Sequence, residues 1–208
     1  MPIISLQNIT NEVLLGIWQV TETKAELEEI LSQNFHDTSK PVNPAESVGL
    51  HWFASRVLVQ HLFSSHKIEI HKDTHNKPTL YIDGEKYFIS ISHAHLYVGV
   101  MVCKTHEIGL DIEQIDDRIN RVANKFMNEA EKQFGHTIEH KTLIWSAKEA
   151  VYKWYGKKEL DFRGNMEVQS FTVSNAGTFK CKLHKNETQH LLPVHYYQLD
   201  NYFIAYCF

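Results

Sequence analysis

Two short stretches, Gly109-Leu110-Asp111-Ile112-Glu113 and Trp145-Ser146-Ala147-Lys148-Glu149-Ala150-Val151-Tyr152-Lys153, hold three carboxylates and two lysines. Carboxylate oxygens are hard donors that suit a cation such as Mg²⁺, and an ammonium beside that cation can offset charge on a phosphate. The chemistry open to these residue types is metal-assisted phosphoryl transfer. The apolar run Tyr97 to Val102 and the lead-in Ile108-Gly109-Leu110 read as strand, so Asp111 and Glu113, two apart, share one face and can chelate one cation. The second stretch reads as helix. Ile144, Ala147, Val151 and Trp154 form an apolar stripe, while Trp145, Glu149 and Lys153 recur at i, i+4 and i+8 on another face. Taken singly, each half has an ordinary explanation, the acid pair as a solvated rim and Glu149 with Lys153 as a helix ion pair.

Together, in this order and separation, they resemble the 4′-phosphopantetheinyl transferase superfamily of the Sfp type, whose pattern is G-x-D-x-E followed some tens of residues later by W-x-x-K-E-x-x-x-K. Ser90-Ile91-Ser92-His93 stands where that family carries a strand ending in Ser-His, and Asn76-Lys77-Pro78 matches its G-K-P turn with Asn in place of Gly. The resemblance spans residues 40 to 160, roughly. It implies a holo-acyl-carrier-protein synthase activity, in which the 4′-phosphopantetheine arm of coenzyme A moves to a serine of an acyl or peptidyl carrier protein and adenosine 3′,5′-bisphosphate leaves. Mg²⁺ would be held by Asp111, Glu113 and Glu149, with water completing the shell beside Ile112. Lys153 would face the developing phosphate charge, and Lys148 would serve the same field or a terminal phosphate. The serine proton would go to Glu149, to Glu131 in Asn128-Glu129-Ala130-Glu131, or to a metal-bound water. Ser92 and His93 would meet the coenzyme A phosphates, with Lys77 and Arg56 at the 3′-phosphate and adenine end.

The fold this implies is α+β: two similar subdomains related by a pseudo-twofold, each with helices packed on a mainly antiparallel sheet. Residues 1–107 would supply the nucleotide contacts and residues 108–208 the metal site and catalytic helix. A catalytically silent coenzyme A or carrier-binding module of the same fold is the main competing reading, against which the intact acids and Lys153 speak. A metal-dependent phosphohydrolase is a third, but its usual two-metal acid clusters are not evident.

The elements that must position these residues are legible in outline. Thr23-Lys24-Ala25-Glu26 is a capping box that opens a helix to about Leu31, and Asn43-Pro44-Ala45-Glu46 opens a longer one to about Phe63 with Val48, Trp52, Ser55, Val59 and Leu62 on its buried face. Strands are expected at Lys67 to His71, Thr79 to Ile82, Tyr87 to Ser92 and Leu96 to Cys103, with a turn at Asp83-Gly84, so that a helix comes first and antiparallel strands follow. After Glu113 come helical pieces from Ile119 and Asn128, a long helix from Glu139 to Tyr155, then strands at Gln169 to Val173, Thr178 to Leu183, Val194 to Leu199 and Tyr202 to Cys207.

A hydrophobic content of 43% supports a real core, and a net charge of −4 leaves no general nucleic-acid footprint. Cys103, Cys181 and Cys207 are odd in number and widely spaced, which argues for reduced thiols. Met1 to Val20 lacks the basic start and apolar run of a signal peptide, and no apolar run reaches the roughly 18 residues that cross a bilayer. The expectation is a soluble, cytoplasmic monomer whose partners are coenzyme A and a carrier protein, with no nucleic acid and no membrane. The 14 histidines show no zinc spacing. Arg118, Arg121 and Lys125, interleaved with Ile119, Val122, Phe126 and Met127, form a basic amphipathic stretch suited to an acidic carrier.

Overall fold

The computed structural model describes residues 3–31, 35–37 and 46–208. Backbone packing divides the chain into two units, Met1–Ile108 and Gly109–Phe208. The first runs β1 (Ile3–Asn8), β2 (Val13–Gln19), α1 (Lys24–Ile30), β3 (Phe35–Asp37), α2 (Glu46–Leu62), β4 (Ile68–Lys72), β5 (Pro78–Ile82), β6 (Glu85–Ala94) and β7 (Tyr97–Cys103). The second runs β8 (Gly109–Gln114), α3 (Ile119–Phe126), α4 (Glu129–Lys132), α5 (Ile138–Tyr155), β9 (Met166–Val168), β10 (Ala176–Lys185), β11 (Thr188–Leu199) and β12 (Tyr202–Cys207).

Among the described residues, the first unit holds a seven-stranded sheet in the order β1-β2-β7-β6-β5-β4-β3, and the second a five-stranded one in the order β8-β12-β11-β10-β9. Neighbours are antiparallel except β3 beside β4. The fold is α+β, as expected. One connectivity also recurs: β2, α2 and β4 to β7 follow the same course as β8, α5 and β9 to β12. In each unit an opening strand leads through a long helix to four antiparallel strands, the last of which returns to pair with the first.

Each sheet buries one face under its long helix. Val57, Leu58 and Val59 of α2 share a core with Trp18, Ile70, Leu80, Val98 and Val100. On α5 the expected stripe of Ile144, Ala147 and Val151 is fully buried against Phe179, Cys181, Val194 and Phe203, with Trp154 at its rim. Burial of such side chains stabilises by about 1.5–3 kcal/mol each, which is why the helix lies with that face inward. Local signals set the ends. Thr23 and Glu26 form the expected capping box, and α5 runs from the Thr137 cap to Gly156, whose φ of 69° is left-handed backbone that glycine adopts without strain.

Three expectations are corrected. The chain does not begin with a helix, because the β1–β2 hairpin precedes α1. The Val13–Gln19 strand is buried along almost its whole length, so it lacks the polar alternation that marks a strand by period. The three-residue β3 was not expected either. Gln169 to Val173 is not a strand, since pairing ends where the Gln169 N–H meets the Lys180 carbonyl at 2.9 Å. Phe171 then stacks on Phe179 of β10 with ring centres 4.2 Å apart, so its side chain is half-buried without its backbone joining the sheet. The expected opening of α2 at Asn43-Pro44-Ala45 and the side chain of Val48 lie outside the described residues. On the remainder of its expected face, Ser55 and Val59 are buried and Trp52 and Leu62 half-buried.

Candidate functional site

The second unit brings the acids together through the pairing of β8 with β12. Asp111 lies opposite Ala205 and Glu113 opposite Phe203, and both partners belong to the core beneath α5, so the two carboxylates project toward that helix. Gly109 makes the approach possible. A Cβ there would stand 1.9 Å from the Ala150 carbonyl oxygen, and because the obstacle is backbone, strand and helix would have to separate.

Asp111 is 3% exposed; one carboxylate oxygen accepts from Lys153 Nζ at 2.8 Å and the other from Ser146 Oγ at 2.9 Å. Lys153 also donates to the Leu110 carbonyl at 2.9 Å. Glu113 accepts from Trp145 Nε1 at 2.7 Å. The α5 face that carries Trp145, Glu149 and Lys153 is therefore the face turned to β8. Sequence reasoning missed Ser146, which sits three residues before Glu149 and seven before Lys153, a spacing that announces the same face.

The site is acid-rich. Burial first, and then the charge of Asp111, push the Glu113 carboxyl up to about 7 against the opposing pull of Trp145 and Lys153. Burial and Asp111 likewise push Glu149 up to about 7, with Lys153 opposing. Three carboxylates thus face one ammonium, and all the donors are oxygens. That donor set fits a hard divalent cation, which would relieve the repulsion. Among the described residues, no three His, Cys, Asp or Glu side chains are arranged to hold a metal ion as they stand. Both Asp111 oxygens are engaged by Lys153 and Ser146.

A stability effect follows for the metal-free protein. Glu113 and Glu149 hold their protons more tightly when folded, near 7, than at the ordinary value of 4.5. The stability this lends is full below about 4.5 and is lost as pH rises through about 7. Between pH 5 and 8 the calorimetric Tm of the wild type should therefore fall relative to a Glu113→Gln/Glu149→Gln double variant. A constant difference would show that neither carboxyl is displaced.

Three further assigned residues are buried and engaged by other groups of the protein. Lys148 is 0% exposed; it pairs with Glu131 at 2.8 Å and donates to the carbonyls of Phe126 at 2.7 Å and Phe162 at 2.9 Å. Burial lowers its proton affinity although Glu131 lies beside it. Glu131 is also 0% exposed, and it accepts from the backbone N–H groups of Asn128 and Val168. Asn128 and Glu131 form a capping box, so the acidic element after α3 is the start of α4. Arg56, 6% exposed, donates to Asp37 at 2.7 Å and lies over the Trp52 ring at 4.6 Å.

Lys77, Ser92 and His93 stand in the first unit. Asn76 has a φ of 67°, the left-handed conformation that glycine or asparagine tolerates best, and this explains why Asn can stand before Lys77-Pro78. Lys77 opens onto β5 with its ammonium paired to Glu107. Ser92 is buried and His93 exposed, adjacent strand residues pointing to opposite faces. On α3, Ala123 and Phe126 are buried while Arg121, Val122 and Lys125 are exposed; Arg118 pairs with Asp116 at 2.9 Å. All three cysteines are buried free thiols, and burial pushes that of Cys181 up to about 12. Among the described residues no helix is long and apolar enough to cross a membrane.

Residues 107–207 match the family model of the 4′-phosphopantetheinyl transferase superfamily. No curated protein matches the chain.

Proposed function

We propose, from the match of residues 107–207 to the 4′-phosphopantetheinyl transferase superfamily, that the protein is an Sfp-type enzyme with holo-acyl-carrier-protein synthase activity. It moves the 4′-phosphopantetheine arm of coenzyme A to a serine hydroxyl of an acyl or peptidyl carrier protein. The serine oxygen forms a bond to phosphorus, the pyrophosphate P–O bond breaks, and adenosine 3′,5′-bisphosphate leaves with the electron pair. The observation that carries this reading is the placement of Asp111, Glu113 and Glu149 with Lys153 on facing surfaces of β8 and α5.

Asp111, Glu113 and Glu149 would hold Mg²⁺, which when bound supplies charge neutralisation at the pyrophosphate. Lys153, already within 2.8 Å of Asp111, adds a fixed positive charge beside those acids and opposes build-up of negative charge on the phosphates. With Glu131 enclosed in the core, the serine proton passes to Glu149 or to a water beside it. Lys77, Ser92 and His93 bind the phosphates of coenzyme A. The exposed Arg121 and Lys125 suit an acidic carrier, and the buried free thiols are in keeping with a reducing, cytoplasmic compartment.

The test is incubation with apo carrier protein, coenzyme A and Mg²⁺, read as the carrier's mass. A gain of one phosphopantetheine that EDTA abolishes is expected, with a KM for carrier that rises with salt. Coenzyme A binding with no mass gain across several carriers would identify a silent binding module instead.

A further inference from the structure

The first unit contains a second imidazole beside His93. His51 of α2 and His93 at the end of β6 have ring centres 4.5 Å apart and planes 17° from parallel. His93 lies opposite Val98, a member of the core beneath α2, so its exposed ring is on the helix side of the sheet, over the half-buried His51. His51 is itself held. Its Nε2 lies 2.8 Å from the His95 carbonyl, and since a carbonyl only accepts, Nε2 carries the hydrogen. His95 has a φ of 46°, in the left-handed turn between β6 and β7, and the next carbonyl, Leu96, accepts from Val20 N–H at 2.8 Å. The turn that follows His93 is therefore pinned from α2 and from the residue just after β2.

A flat ring fixed at stacking distance selects among the rotamers open to a histidine side chain. We propose that His51 is the positioning residue for His93, a fixed platform that holds the His93 imidazole in the orientation in which it meets a phosphate of coenzyme A. This rests on the function proposed above. Its role is exerted through His93, so losing His51 matters only while His93 is present.

Affinity for coenzyme A, measured by titration calorimetry in the presence of Mg²⁺, tests this in the wild type, His51→Leu, His93→Leu, the double variant and His51→Phe. His51→Leu should weaken binding about tenfold, and the double variant should bind no worse than His93→Leu. His51→Phe, which keeps the stacked ring, should return to within about threefold of the wild type. Losses that multiply in the double variant, or a His51→Leu affinity equal to the wild type's, would overturn the proposal, because a merely structural His51 would act independently of His93. The same set separates the two readings. Intact coenzyme A binding and coupling without transfer to any carrier would remove the transferase and leave this inference standing, whereas no coenzyme A binding by the wild type overturns both.

Discussion

Asp111→Ala should lower carrier modification by about a hundredfold or more, on the order of 3 kcal/mol of lost transition-state stabilisation. The expectation follows from how many partners this carboxylate serves. It sits in the core at 3% exposure, fixes Lys153 and Ser146, and contributes to the displaced protonation of both Glu113 and Glu149. Its removal takes from Lys153 the carboxylate it meets at 2.8 Å, and takes away one of three carboxylates available to a cation. Asp111→Asn separates charge from shape. The amide can still meet Ser146, so its Tm should lie nearer the wild type than that of Asp111→Ala, while turnover falls as far. EDTA-treated wild type should match both. Near-normal turnover in Asp111→Asn would move the metal away from β8.

What could be read from the sequence was whatever depends on a short, regular spacing. Asp111 and Glu113 share a face because strands alternate, and Trp145, Glu149 and Lys153 share one because helices repeat near every fourth residue. The capping box at Thr23 and the stripe on α5 follow the same local rules. What was not legible depends on which neighbour the fold delivers. Lys148 adjoins Glu149 in the chain, yet it points a quarter-turn away, into a core where two carbonyls and Glu131 await it. Arg56 is withdrawn by Asp37, 19 residues upstream on a three-residue strand that no periodicity announces. The β2 strand was missed because burial on both faces erases alternation. Phe171 misled in the opposite direction, since an alternating pattern can serve burial without a ladder. His51 carried no motif, and only the packing of α2 over β6 brings it to His93.

Lys148→Met should destabilise the protein by about 3–5 kcal/mol, because it leaves the Glu131 carboxylate at 0% exposure without its cation. The methionine fills much of the volume but leaves the carbonyls of Phe126 and Phe162 without the ammonium that now serves them. The pair joins four places in the second unit: the end of α3 through Phe126, the start of α4 through Asn128, the Phe162 turn, and β9 through the Val168 N–H. If the burden in Lys148→Met is mainly an unpaired buried charge, neutralising the partner should relieve it. Lys148→Met/Glu131→Gln should therefore be less destabilised than the sum of the two single variants by about 1–3 kcal/mol in urea unfolding. The recovery is incomplete, since a glutamine amide cannot accept from both Asn128 and Val168 as the carboxylate does. Activity discriminates the structural role from the phosphate-binding one. The folded double variant should keep a coenzyme A KM close to the wild type's if Lys148 holds the core, and a KM raised as steeply as in Lys153→Ala would return Lys148 to the phosphates. Simple additivity of the two stability losses would mean that Glu131 and Lys148 are buried side by side without depending on each other's charge.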